Sequence, residues 1–295
     1  MYILTIEFYR RIAKNQDGFF ALLYCQNKRI TLYFENMANR NSATKAIILK
    51  THIQGEHNRN VCALSETEGI FHATLYGGPK SKLSALVQPF SSGKMWIYKD
   101  PNRPITKISD FDSENTRLNL RESLYRLFAA NLACEIVMKT KAAGEAKDAF
   151  FLLNGFLDGL DTIPENAAPS ALIRFLWRYL AIMGIQPSTE ECSRCGRPFF
   201  PGGTIRFAGC SSVYIPSTDG FVCPECAAEM HEGFSLSSEA MAYLAAMAAS
   251  LSPRLIRAMP LSAASLSQLR QLTFFLSEAA AGMKLKSIES SVGIL

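Results

Sequence analysis

The sequence predicts a mixed α+β chain of several domains, a small β-barrel followed by a helical body that a cysteine-rich ribbon interrupts. Three observations carry this. Residues 44–111 fall into short β-prone runs divided by turn residues, the spacing of apolar residues turns helical after Asp112, and four of the eight cysteines form two C-x-x-C pairs within the helical half. The 295 residues, 48% hydrophobic, are enough for two or three small domains with real cores.

The elements follow in order. Residues 1–42 read as an N-terminal extension. Apolar runs at 19–24 and 30–34 suit a hairpin, but they precede an already complete strand set. Met37 is therefore the expected native start, with the residues before it dispensable. Glu7, Arg10 and Arg11 break the order of a signal peptide. The uncharged stretch at 240–252 is too short and too rich in Ala and Ser to cross a bilayer. The expectation is a soluble protein retained inside the cell.

Residues 43–113 form the expected barrel. Strands are predicted at 44–51, 60–65, 70–76, 85–90, 94–98 and 106–111. Turns are expected at Gly55 to Asn58, at Glu66 to Gly69, at Gly77-Gly78-Pro79 and at Ser91-Ser92-Gly93. Five or six short strands with a loop after the third suit a Greek-key barrel of the OB type. An SH3-like barrel or an open sheet has the same strand count. From 114 to 190 the pattern is helical: Leu118, Leu120, Leu124, Leu127, Phe128, Leu132 and Ile136 recur at helical spacing, with Ser113 or Asn115 as the cap. Further helices are predicted at 147–160, at 169–183 with Pro169 near its start, and, in the last segment 231–295, at 237–251 and 262–282.

The ribbon occupies 191–230. Cys192 and Cys195 are separated from Cys223 and Cys226 by 27 residues, a spacing slightly beyond the usual zinc ribbon. Each pair makes a tight knuckle that aims two thiolates at one centre, and two knuckles complete a tetrahedron. Gly196 and Pro198 supply turn residues for the first. The rival reading, a redox-active C-x-x-C, needs a thioredoxin-like βαβ setting that the flanking sequence lacks. Cys210 and His231 are the substitute ligands to consider, while Cys25, Cys62 and Cys134 read as small buried hydrophobes. Four thiolates close the coordination shell, so one structural Zn2+ per chain is expected, not a catalytic one.

Charge is uneven. Residues 1–110 carry 15 Lys and Arg against 8 Asp and Glu, whereas the remainder carries 16 against 18. A basic front suits a polyanion. Gly77-Gly78-Pro79-Lys80-Ser81-Lys82 would let backbone and charge approach a partner closely, and Phe71, Tyr76, Phe90, Trp96 and Tyr98 offer aromatic surface for bases. Enzyme chemistry finds little support: His52, His57, His72 and His231 stand in no nucleophile pattern, and neither Gly-x-Ser-x-Gly nor a Walker loop occurs.

Several segments, in order, resemble the bacterial recombination mediator family RecO. They are residues 45–50, Gly55-Glu56, Glu68-Gly69-Ile70, Gly77 to Leu83 and Gln88-Pro89-Phe90 in the barrel. Residues 169–184, Cys192 to Arg197, Cys223 to Cys226 and Gly282-Met283-Lys284-Leu285-Lys286-Ser287 follow in the rest. The basic loop holds less arginine than is usual in that family. The resemblance implies a non-enzymatic protein of the bacterial cytoplasm and nucleoid, acting in the RecFOR pathway. It would bind single- and double-stranded DNA, anneal strands, and with RecR load RecA onto strands coated by the single-stranded DNA-binding protein, SSB. The DNA contacts expected are Lys45, Lys50, Arg59, Lys80, Lys82 and Lys94. A receptor for the acidic SSB tail is expected at Arg117, Arg121, Leu124, Arg126 and Phe128. The competing classes are a zinc-dependent hydrolase or nucleotide-modifying enzyme, and a scaffold that ignores DNA.

Overall fold

The computed structural model describes residues 41–77, 81–100, 105–201, 210–230, 232–249 and 251–295. The expectations for the extension before residue 41, for Cys25, for Lys80 and for His231 lie outside these.

Five strands close into a barrel: β1 (Asn41–Gln54), β2 (Asn58–Ser65), β3 (Gly69–Leu75), β4 (Ser92–Lys99) and β5 (Thr106–Asn115), in the order β1-β2-β3-β5-β4. β1 serves two neighbours, pairing with β4 along its first half and with β2 along its second, and a bulge between Ile48 and Lys50 lets it bend between them. β3 meets β5 in parallel at Thr74↔Lys107. This is a Greek-key OB-type barrel, and it removes the SH3-like and open-sheet alternatives. The apolar run from Ala46 to Leu49 is buried on both faces. Ala46 and Ile48 fill the barrel with Met95, Ile97 and Phe111, while Ile47 and Leu49 join the helical core.

Two expectations in the barrel are corrected. Residues 85–90 do not form a strand: α1 (Lys82–Leu86) is a short helix, after which Val87 plugs the barrel and Phe90 turns the chain at φ 73°. A short apolar run has too few residues for its period to separate helix from strand. Nor do Ser92 and Gly93 form a turn; they open β4. At Gly93 a Cβ would lie 2.0 Å from the Asp112 carbonyl oxygen, so only glycine lets β5 come this close.

The helical body begins later than expected. Ser113 and Asn115 end β5 instead of capping a helix. A 3-10 turn at Leu118–Arg121 follows, and Ser123 caps α2 (Leu124–Lys139) by accepting the Arg126 N–H at 3.3 Å. α3 (Ala146–Thr162) and α4 (Ala168–Ile182) complete a three-helix core around Leu132, Leu153, Leu157 and Leu176. α4 serves a second core too, since Ile173, Trp177 and Leu180 on its other side pack against the ribbon. The ribbon holds β6 (Ser212–Ile215), β7 (Gly220–Val222), α5 (Pro224–Ala227) and β8 (Phe234–Leu236), with sheet order β7-β6-β8. Then come α6 (Ser238–Ala248), α7 (Pro253–Ala258), α8 (Ala263–Ala281) and α9 (Lys286–Glu289). Phe199, Tyr214 and Phe221 of the ribbon share a core with Tyr243 and Leu244 of α6 and Leu269 and Leu272 of α8. The ribbon is thus docked on helices. Among the described residues no helix is long and apolar enough to cross a membrane.

Candidate metal centre and basic surfaces

The four paired cysteines converge. Their Sγ atoms all lie within 4.8 Å of one another, and Cys195 and Cys223 are 3.8 Å apart. A tetrahedron of metal–sulfur bonds about 2.3 Å long has edges of about 3.8 Å, so the donor set fits a thiophilic metal ion. The first knuckle is built by local turns: the Gly196 N–H donates to the Cys192 carbonyl and the Cys192 N–H to that of Arg197, both at 2.9 Å. The second is the start of α5, with Cys223 at its cap. The Cys223 N–H points at Cys192 Sγ at 3.3 Å, joining the two. Burial opposes ionisation of Cys192, but the N–H groups of Cys195, Cys223 and Arg194 outweigh it and bring the thiol down to about 6. Cys226 is pushed up to about 12, first by its hydrogen bond with Cys223 and then by burial. Four thiols this close do not all ionise without a cation among them. The two knuckle arginines are occupied, Arg194 with Glu229 at 2.7 Å and Arg197 with Glu225. Cys210 is exposed and stands outside the cluster. Cys62 and Cys134 are buried, and burial raises their thiols to about 11 and about 12.

The sequence-derived DNA contacts are dispersed. Lys45 and Lys94 face each other across β1 and β4, both exposed, and the Lys94 Nζ lies 5.1 Å above the half-buried Trp96 ring. Asp112 lies on the other side of Lys94 in β5 and forms no ion pair with it. Lys50 is exposed on the second half of β1, paired with Cys62. Lys82 is exposed at the start of α1. Arg59 is engaged within the barrel, donating to the Ser84 carbonyl at 3.3 Å.

The SSB-tail set does not come together as a surface. Arg117 is 5% exposed and buries its guanidinium between barrel and helices. It donates to the Phe90 carbonyl, to Ser92 Oγ at 3.0 Å, to Asn154 Oδ1 at 2.7 Å and to Asp158 Oδ1 at 2.8 Å. Arg126 is half-buried and donates to the Ile163 carbonyl at 2.7 Å, while Phe128 packs on the core. Arg121 and Leu124 alone are exposed. A different place carries clustered arginines. A groove of about 360 Å³ between α3, α4 and α7 is lined by Phe151, Phe156, Ile163, Arg174, Arg178 and Arg257, with no carboxylate among the described residues of its walls. Burial, with Arg174 nearby, lowers the Arg178 pKa, a sign of cations held together. Arg174 and Arg178 are spaced four apart on α4, the one sequence signal for this site.

Fold and centre together define an OB-barrel protein whose helical body carries a four-thiol ribbon able to hold a metal ion. Residues 37–116 match the family model described as Recombination protein O N terminal, and residues 121–289 match Recombination protein O C terminal. The chain belongs to the RecO family. It is 27% identical over 200 residues to the DNA repair protein RecO of Symbiobacterium thermophilum, covering 66% of this chain and 75% of that one. Against the DNA repair protein RecO of a Synechococcus species it is 25% identical over 193 residues, or 61% of this chain and 60% of the relative. With that of Bacillus subtilis it shares 25% over 185 residues, 62% and 67%.

Proposed function

We propose that this chain is a non-enzymatic, DNA-binding mediator of recombinational repair. It binds and anneals single strands and, with RecR, helps load RecA onto SSB-coated DNA at the bacterial nucleoid. The observation that carries the reading is the facing pair Lys45 and Lys94 beside Trp96. Like charges directly opposite on two strands destabilise a sheet, and a phosphate backbone laid over them removes that cost while the indole stacks a base. Family membership and the relatives' name supply the biological setting. The metal is Zn2+, held by Cys192, Cys195, Cys223 and Cys226. Its role is structural because four thiolates leave no open position, which also counts against the hydrolase reading.

The acidic, apolar tail of SSB is better matched to the arginine groove than to the surface around Arg117. Its carboxylates would meet Arg174, Arg178 and Arg257, and its apolar residue the Phe151 and Phe156 side. A fluorescent peptide of that composition should bind wild type and lose at least tenfold in affinity in Arg178→Ala, with Arg121→Ala unaffected.

Titrating fluorescent oligo-dT across a salt series tests the DNA reading. Lys45→Ala with Lys94→Ala should flatten the log–log slope by roughly 0.7 for each phosphate no longer neutralised, with base preference unchanged. Lys80→Ala with Lys82→Ala should act in the same direction. Wild-type protein that leaves oligo-dT unbound at low salt would remove this reading in favour of a scaffold.

A further inference from the structure

The Gly282-to-Ser287 segment has no part in the barrel face, yet it is held firmly in place. Gly282 ends α8 in the left-handed region at φ 64°, and Leu285 is fully buried. Glu135 of α2, 8% exposed, then accepts the N–H of Lys286 at 3.1 Å and that of Ser287 at 2.7 Å, one on each carboxylate oxygen. This fixes Lys286 on the same wall as Lys139 of α2. Across from them the barrel presents Lys50, His52 and His72 from β1 and β3. The two walls enclose a cleft of about 560 Å³, floored by apolar residues that include Cys62 and Cys134. Glu135 is the one carboxylate among its described lining residues, and both its oxygens already serve backbone N–H groups. Lys50, Lys139 and Lys286 are exposed and form no ion pair among the described residues. Cations of one sign lining a concave site with a low-dielectric floor concentrate the field on whatever enters.

We infer that this cleft is a phosphate-binding groove for a nucleic-acid strand, built jointly by the barrel and the helical body. The inference rests on the proposal that the chain binds DNA. The choice of occupant comes from charge. Lys50, Lys139 and Lys286 form no ion pair among the described residues, and the carboxylate of Glu135 is taken up by backbone N–H groups, so a run of phosphates is the complement of the lining. The barrel and the helical body each supply part of that lining. Lys139 and Lys286 are binding residues, and Glu135 is a positioning residue acting through the 286–287 backbone.

Salt titration of oligo-dT on the full-length protein tests it, comparing Lys139→Ala with Lys286→Ala against Lys45→Ala with Lys94→Ala. Loss of both helical-wall lysines should flatten the log–log slope by about 1.4, roughly 0.7 for each lysine. Lys139→Arg with Lys286→Arg should keep the wild-type slope, and thermal melts should be unchanged in both helical-wall variants. If the helical-wall variant keeps the wild-type slope while the barrel variant loses it, the cleft proposal is overturned and the barrel reading stands. If polyglutamate binds the wild type, displaces oligo-dT and is itself lost in the helical-wall variant, the cleft belongs to an acidic protein. If wild type shows no salt-sensitive binding of oligo-dT, both readings fall together.

Discussion

The cysteine centre and the Arg117 junction both hold parts of the chain together, and they do so by opposite means. At the centre, thiols from two local turns meet around a shared point, and each turn is shaped by its immediate neighbours: Gly196 returns to the Cys192 carbonyl, and Cys223 opens α5. At the junction a single cation reaches 41 residues along the chain to Asp158 while its other nitrogens bind the barrel at Phe90 and Ser92. The first gathers many equal groups whose charge a metal ion could balance. The second is one buried charge whose partners are already present, and both Phe90 and Arg117 adopt left-handed backbone to allow it, at φ 73° and 48°. A local motif can be completed by an ion from solution. A long-range clamp has to be completed by the fold.

Substitutions that break each one separate these two kinds of cohesion. The largest effect belongs to the metal centre. Cys192→Ser should remove the metal and cost several kcal/mol, because ligation energy is folding energy. Metal analysis should fall from about one zinc per chain together with the melting temperature, whereas Cys210→Ala should leave both unchanged. Retained zinc in Cys192→Ser would show that the centre is built otherwise. Next comes Arg117→Met, which strands the Phe90 carbonyl, Asn154 and the half-exposed Asp158. About 3 kcal/mol of stability should be lost in urea unfolding, at the low end for a broken buried pair because Asp158 keeps some water. Zinc content should stay intact, and it is this contrast that the two variants measure.

Glu135→Ala should cost less, about 2 kcal/mol, through the N–H groups it leaves unpaired. Amide exchange should accelerate at Lys286 and Ser287 and leave the α2 core amides protected. The smallest effect is electrostatic. Glu239 is held below the ordinary carboxylate range by the hydroxyl of Ser262, then by that of Ser265, with the Ser262 N–H adding to them. A depressed folded pKa gives stability that is present above the unfolded value, about 4.3, and is lost as pH falls through the folded one. Wild type should therefore melt above Glu239→Gln at pH 6, and the gap should close toward pH 3. A gap that widens on acidification would contradict the sign.

The same contrast explains which parts of the molecule are legible in the sequence. The cysteine pairs and the strand-and-turn rhythm of the barrel are written within a few residues of themselves. So are the α8 ends, where Ser262 caps and Gly282 stops. What the sequence hides depends on distant partners. Residues 85–90 look like a strand until a barrel exists for Val87 to plug. Arg117 looks like a surface cation until Asp158 and Asn154 of α3 come beside it. Lys286 meets Lys139 only because Glu135 holds a backbone 151 residues away. Even Lys45 and Lys94 need the β1–β4 register to become neighbours.

Closing the barrel has a consequence for anything that approaches it. β2 and β4 are paired along both edges, so they offer no row of free N–H and C=O groups that a passing segment or a second copy could join. There a visitor is met by side chains alone. The ring does have a seam. Among the described residues β3 and β5 touch in register at the single pair Thr74↔Lys107, while the other neighbours are zipped along most of their length. The Lys107 ammonium reaches across to rest 5.6 Å from the Tyr76 ring centre, a stitch beside the narrowest join. If the barrel breathes, it opens there first, and the amides of Thr74 and Lys107 will be the first in the ring to exchange.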